Sequence, residues 1–393
     1  MEQSLYIHIP FCKKRCSYCD FNTYAGRDAL IPAYQAALIE EIRIAISTQP
    51  LLKVQSIYFG GGTPSILDAP FYAKVIGEIS ALSEVAPDCE ITLEANPGTL
   101  DGEYLRAIRS AGVNRLSLGV QSMDSLDLAR LDRIHGINDV LESVRQARRA
   151  QFDNLSLDMI FGMPWQSLDS WQNGLDRAIL LQPEHFSLYS LIIETGTPLY
   201  AWYQKGWVES QDEDREADMF EYAMDALEKA GFVHYEISNW ARQQEGHDFQ
   251  SRHNRQYWLN RPYFGFGAGA HGYVNGVRTV NALTIPDYIQ KVTAYTPAGR
   301  GLNVFPASVS QEAVDMPTQM RDFMLLGLRL VHDGVSADRF ETLYGQAMDR
   351  VFKKEINQLL AQGLVEWVGP TAATLRLTRR GVFLANRVFR EFV

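Results

Sequence analysis

Cysteine is scarce in this chain: four residues in 393, three of them within eight positions of one another. A secreted disulfide framework spreads paired cysteines along the chain, so this usage points to a reducing compartment and a metal site, with a cytoplasmic location expected. No run of about 18 apolar residues occurs, and no membrane span is expected. The start, Met1-Glu2-Gln3-Ser4-Leu5-Tyr6, lacks the basic stretch and apolar run of a signal peptide. A basic excess is missing as well. The net charge is −10, which argues against a nucleic-acid partner. Residues 301–393 are near neutral, with 11 Lys+Arg against 10 Asp+Glu, and Arg376, Arg379, Arg380, Arg387 and Arg390 read as a solvated helix face. There is no low-complexity tract and no internal repeat. A hydrophobic content of 46% is ample for a globular core of two or three domains.

What the chain does contain is an alternation of strand and helix patterns. Strands are expected at Ser4–Ile9, Gln55–Phe59, Glu90–Ala95, Arg115–Val120, Asn154–Ile160 and His185–Leu191. Amphipathic helices are expected at Tyr34–Ser47, Phe71–Leu82, Glu103–Ser110, Asp139–Ala150, Leu168–Leu181 and Arg215–Ala230. Parallel neighbours need a crossover, so the class is α/β with a parallel sheet. Six units suit a partial TIM-like (β/α)6 barrel; a doubly wound sheet is the alternative, which the period alone does not separate. Residues 1–232 would form this core. Residues 233–305 are less regular, with a strand at Val233–Ile237 and a Gly- and aromatic-rich stretch at Tyr263–Tyr273. Residues 306–393 read as helices (Gln319–Val331, Ala337–Tyr344, Met348–Gln362), a hairpin around Gly369-Pro370, and a last helix from Arg380. That order is an α+β, winged-helix-like module.

The cysteines stand in Cys12-x3-Cys16-x2-Cys19, directly after the first strand, at the end of a parallel barrel that carries the site. Three close thiolates suit one soft inorganic centre. A zinc knuckle completed by His8 or Asp20 is the alternative, but no second ligand pair is present. A cubane held by three cysteines leaves one iron open. Other strand ends repeat the theme: Gly60-Gly61-Gly62-Thr63-Pro64 permits close backbone approach, and Glu94, Gln121 and Asp158 are polar groups in otherwise apolar strands. Cys89 reads as a buried, inert thiol. Tyr200, Trp202, Tyr203 and Trp207 read as packing or as part of an access mouth.

In these residues the chain resembles the radical S-adenosylmethionine (SAM) superfamily. The resemblance extends to the group of oxygen-independent coproporphyrinogen dehydrogenases and heme chaperones. It rests on Tyr6-Ile7-His8-Ile9-Pro10-Phe11-Cys12, Glu94-Ala95-Asn96-Pro97-Gly98, Gly119-Val120-Gln121-Ser122, Arg133-Ile134-His135-Gly136 and Leu157-Asp158-Met159, and it reaches the C-terminal module. The resemblance implies a 4Fe–4S cluster on Cys12, Cys16 and Cys19, with SAM on the open iron. It implies a SAM pocket lined by Tyr6, Tyr18, Gly61, Gly62 and Thr63. Glu94 and Asp158 would sit near the ribose and amino portions, with Gln121 between strands. Arg133 would face the carboxylate, and Ile192 would lie beside the adenine. The cofactors would supply reductive cleavage of the sulfonium.

Within that group, the porphyrinogen-oxidising branch has a further cysteine where this chain has Phe21, and it has a long segment before the first strand where only a few residues precede Tyr6. Cys19-Asp20-Phe21-Asn22 is similar to the heme-chaperone branch. So is His253-Asn254-Arg255-Gln256-Tyr257-Trp258, an H-N-x-x-Y-W motif associated there with heme. The resemblance therefore implies heme as a ligand and a heme-acceptor protein as partner. His253, Tyr257 and Trp258 are the heme-binding candidates, and His271 competes for the axial role. A radical SAM enzyme acting on a porphyrin-like substrate is the alternative function. A non-catalytic interaction protein recruiting through its C-terminal module is the third.

Overall fold

A computed structural model describes residues 2–49, 52–244, 246–296, 304–369 and 373–393. Six parallel strands run in sequence order: β1 (Glu2–Ile9), β2 (Lys53–Gly61), β3 (Glu84–Ala95), β4 (Arg115–Gln121), β5 (Leu155–Phe161) and β6 (His185–Ser190). Each expected strand is present, several of them longer than expected. The crossover helices are Ile31–Ser47, Ala69–Leu82, Gly102–Ser110, Ile137–Arg149 and Leu168–Ile179, with Glu213–Lys229 after β6.

The two faces of these strands differ in kind. Leu5, Ile7 and Ile9 of β1, Ile57 and Phe59 of β2, Leu116 and Leu118 of β4, and Leu155 and Leu157 of β5 are all fully buried in the apolar core with the helices. The alternate positions are polar: Tyr6 and His8, Ser56 and Tyr58, Thr92 and Glu94, Arg115 and Ser117, Ser156 and Asp158, His185 and Ser187. Side chains alternate across a strand, so one face packs the helices and the other lines a chamber. A doubly wound sheet would carry apolar residues on both faces. The open half-barrel is the architecture present.

Residues after 231 extend both edges of this sheet. β7 (Phe232–Glu236) and β8 (Asn239–Gln244) form an antiparallel pair, and β8 lies against β6. β9 (Tyr263–Phe266) runs parallel to β1, followed by the antiparallel β10 (His271–Val274), β11 (Val277–Asn281) and β12 (Ser308–Ala313). The strand from 308 to 313 therefore belongs to the large sheet, inside the stretch assigned from sequence to the C-terminal module.

That module holds helices Met316–Gly327 and Ala337–Tyr344 and a small three-stranded sheet of Val335–Ser336, Thr374–Leu377 and Val365–Val368. Three helix boundaries differ from expectation. The first helix ends at Gly327. Met348–Gln362 is two helices, Met348–Val351 and Lys353–Ala361, divided at Phe352. The last helix is likewise two, Arg379–Phe383 and Ala385–Arg390. Phe352 and Phe392 pack edge to face, so the bend at Phe352 follows tertiary packing that periodicity does not encode. Pro370 of the expected turn lies outside the described residues. No helix among the described residues is long and apolar enough to cross a membrane.

Candidate cluster and cofactor site

At the C-terminal ends of the six strands the chamber opens as a cavity of about 550 Å³. Cys12, Cys16 and Cys19 line it, as do Tyr6, Tyr18, Gly61, Gly62, Thr63, Glu94, Gln121, Arg133, Asp158 and Ile192. Every residue expected to hold the cluster or SAM is thus brought to one chamber.

The cysteine loop is held from three sides. Gly62 N–H donates to Ile9 O and Thr63 N–H to Phe11 O, both at 2.8 Å, which lays the glycine run against the loop. Gly62 needs to be glycine: a Cβ there would stand 2.9 Å from Cys12 Sγ and 2.6 Å from Phe11 O. Gly61 has φ +119°, and its Cβ would meet the His8 ring at 2.6 Å. On the second side Ser17 N–H donates to Leu131 O at 3.3 Å, and Leu199 N–H donates to Ser17 O at 2.9 Å. On the third, Asn22 Nδ2 donates to Ala268 O at 3.0 Å and to Leu283 O at 2.9 Å.

The thiols are free, and burial raises Cys12 and Cys19 above the ordinary thiol range. Metal binding would therefore displace protons from them. Thr63 Oγ1 lies 3.6 Å from Cys12 Sγ, Thr23 Oγ1 3.9 Å from Cys19 Sγ, and Arg133 Nη1 3.3 Å from Cys16 Sγ. No group of three metal-ligating side chains among the described residues closes on a single ion. A cluster asks for something different, since each sulfur meets its own iron. Three thiols around one glycine-lined recess fit that group.

The polar strand ends are already organised. Tyr58 Oη donates to Glu94 Oε1 at 2.7 Å and Gly61 N–H to Glu94 Oε2 at 3.0 Å. Burial pushes the Glu94 carboxyl up to about 7. Ser117 Oγ donates to Asp158 at 2.9 Å and Ser156 Oγ at 3.0 Å; burial raises Asp158 despite these bonds. Gln121 takes φ +65°, a left-handed kink that ends β4 at the rim. Arg133 donates to Gly119 O at 2.8 Å and to Asn96 Oδ1, while its Nε has no partner. Ile192 is exposed just past β6. Asn96, quoted only within a motif, is the link that sequence reading missed: its Nδ2 also donates to Thr63 Oγ1 at 2.9 Å.

The four heme candidates separate. His253 and Tyr257 line the deep part of the cavity; Trp258 and His271 do not. His253 is 1% exposed, and both ring nitrogens are engaged, with Ser56 Oγ at 2.9 Å on Nδ1 and Tyr257 Oη at 2.8 Å on Nε2. Ser56 gives its proton to Ser4 Oγ at 2.7 Å, so Nδ1 donates and Nε2 accepts from Tyr257. Burial lowers His253 to about 3, leaving it neutral. The imidazole is a floor residue with both ring nitrogens engaged in this conformation. Trp258 turns away from the cavity: Arg329 of the C-terminal module lies 4.2 Å from its ring centroid. His271 is exposed at the start of β10. The glycine run before it has a structural purpose, because Cβ atoms at Gly267 and Gly269 would stand 2.5 Å from Tyr34 Oη and from Asn22 Nδ2.

Comparison with known proteins gives this geometry a family. A radical SAM superfamily model matches residues 6–178, and a HemN C-terminal domain model matches residues 314–384. The heme chaperone HemW of Bacillus subtilis is 39% identical over 100% of this chain and 99% of its own length. The heme chaperone HemW of Lactococcus lactis is 34% identical over 99% and 97%. The chain belongs to the HemW family of radical SAM proteins. The structure of the coproporphyrinogen III oxidase HemN from Escherichia coli superposes with a TM-score of 0.82 at 22% identity, covering 99% of this chain and 89% of that one. At that identity it shows the shared fold: a half-barrel with the same C-terminal extension. The superfamily implies a 4Fe–4S cluster and SAM. Cys89, as expected, is remote from them, buried, with its thiol pushed up to about 12.

Proposed function

We propose that this protein is a cytoplasmic heme chaperone that carries a SAM-liganded 4Fe–4S cluster, binds heme, and delivers it to an acceptor protein. The full-length match to proteins named heme chaperone HemW is the observation that carries this reading. Phe21 supports it: the side chain is 64% exposed at the cavity rim where the porphyrinogen-oxidising branch has a cysteine.

Cys12, Cys16 and Cys19 hold the cluster, which with SAM supplies one-electron chemistry when bound. The chain's own groups do the rest. Arg133 holds Cys16 and offers its fork to a carboxylate at the rim. Glu94, fixed by Tyr58 and Gly61, and Asp158, fixed by Ser117, accept hydrogen bonds from hydroxyl or ammonium groups. For heme iron, His271 is the candidate imidazole whose ring no described hydrogen bond occupies.

Heme titration tests the reading. A saturable Soret shift is expected, with no conversion of coproporphyrinogen under reducing conditions. Conversion would favour the enzymatic alternative.

A further inference from the structure

Arg115 begins β4 and points into the chamber, where it lines the cavity with Ser117 and Ser187. It is 1% exposed, yet its side chain donates no hydrogen bond and makes no ion pair among the described residues; its Nε is sealed without a partner. The neighbouring carboxylates are bound elsewhere, Glu94 to Tyr58 and Gly61, Asp158 to Ser117 and Ser156. Thr92 is the register partner of Arg115 on β3. It is fully buried, and its hydroxyl also lacks a partner. Two unsatisfied donors thus occupy paired positions on adjacent strands, Arg115 lining the cavity and Thr92 sealed behind its wall. Glu94 and Asp158 attract the guanidinium only at a distance; a buried donor that meets no acceptor is unfavourable, so such a pair calls for an occupant.

The place is the deep end of the same chamber, below Glu94 and Asp158, which lie within electrostatic reach of the guanidinium. Arg115 lies six residues before Gln121 on the same strand, about 20 Å at roughly 3.3 Å per residue.

We propose that the floor of the chamber is a carboxylate-binding subsite, with Arg115 as the ion-pairing fork and Thr92 as a second donor. A planar carboxylate matches a guanidinium edge. The carboxylate belongs either to a separate small acid or to one arm of a larger ligand entering from the mouth. The subsite goes beyond the chaperone reading and does not depend on it.

The test uses the full-length, anaerobically reconstituted protein with sodium propionate as probe and propionamide as the neutral control, read by calorimetry. Propionate should bind and propionamide should not. Arg115→Met should weaken propionate at least tenfold, and Thr92→Val about threefold, with the cluster absorbance of both variants at the wild-type level. Should Arg115→Met fail to fold, Thr92→Val and the amide control still decide. Heme and its dimethyl ester separate the sources. If Arg115→Met weakens heme but not the diester, the carboxylate is a propionate arm; if both bind as to wild type while the propionate response is lost, it is a separate acid. Equal behaviour of propionate and propionamide on wild type, or undiminished propionate binding by Arg115→Met, would overturn the subsite. A Soret shift without any propionate response would sink the subsite alone and leave the chaperone reading intact.

Discussion

At the mouth of the cavity the functional groups sit on loops held by neighbours far apart in sequence; at the floor they sit on strands and on the short helix Arg252–Trp258. Cys12 is placed by the glycine run after β2, and the loop around Ser17 and Asn22 by Leu131, Leu199, Ala268 and Leu283. His253, by contrast, closes a continuous chain from Tyr257 through Ser56 to Ser4. Loops that carry thiols can be rebuilt around an inorganic group, whereas a satisfied buried network resists rearrangement. The imidazole inside the motif is thus held on both nitrogens, while that of His271 is exposed and has no described hydrogen bond.

The largest expected break in this contrast is at the mouth. Cys12→Ala should reduce iron from about four per chain to below about one after reconstitution, with the far-ultraviolet circular dichroism unchanged. Retention of the brown chromophore would mean the thiols are not the ligands.

The brace behind the mouth should respond to pH. Glu41 is 2% exposed, accepts from Gly267 N–H at 2.8 Å and Tyr288 Oη at 2.6 Å, and burial pushes its carboxyl up to about 7. The unfolded carboxyl titrates near 4.5. The folded state therefore binds the proton more tightly, so this contribution is full below about pH 4.5 and is lost as pH rises to about 7. Urea unfolding should show the wild type losing on the order of 3 kcal/mol between these limits relative to Glu41→Gln. Parallel pH profiles for the two proteins would refute the assignment.

The two histidines sharpen the comparison further. His253→Ala should destabilise by about 2–3 kcal/mol, because Tyr257 and Ser56 lose their partner in a buried site, while heme affinity stays within about threefold. His271→Ala should do the reverse: stability within about 0.5 kcal/mol and heme at least tenfold weaker. Chemical denaturation and Soret titration of both variants would expose any exchange of roles. The smallest effect should come from the rim ion pair of exposed Lys14 with half-buried Asp132, 2.7 Å apart. Lys14→Ala should change stability by less than about 0.5 kcal/mol, and a larger loss would show that the mouth is braced there.

Much of the mouth was legible in the sequence because close spacing is local: three cysteines within eight positions, a glycine run and a polar residue at each strand end. The floor was less legible. His253 looked available because sequence does not show that Ser56 and Tyr257 would both reach its ring. Arg115 and Thr92 become neighbours only through the pairing of β3 with β4. The choice between barrel and doubly wound sheet was written in the strands all along, in the polar alternate positions such as Ser4-x-Tyr6-x-His8 and Arg115-x-Ser117-x-Gly119. The edge strands from 239 to 313 were missed because short antiparallel ribbons, anchored by distant partners, carry little periodic signal.

Heme titration of the anaerobically reconstituted protein, followed at the Soret band alongside a coproporphyrinogen assay, decides between heme carrier and porphyrinogen oxidase. Saturable binding is expected, persisting in His253→Ala and weakened in His271→Ala, with coproporphyrinogen left unconverted. Absence of a Soret shift, or conversion of coproporphyrinogen, would contradict the heme-carrier reading.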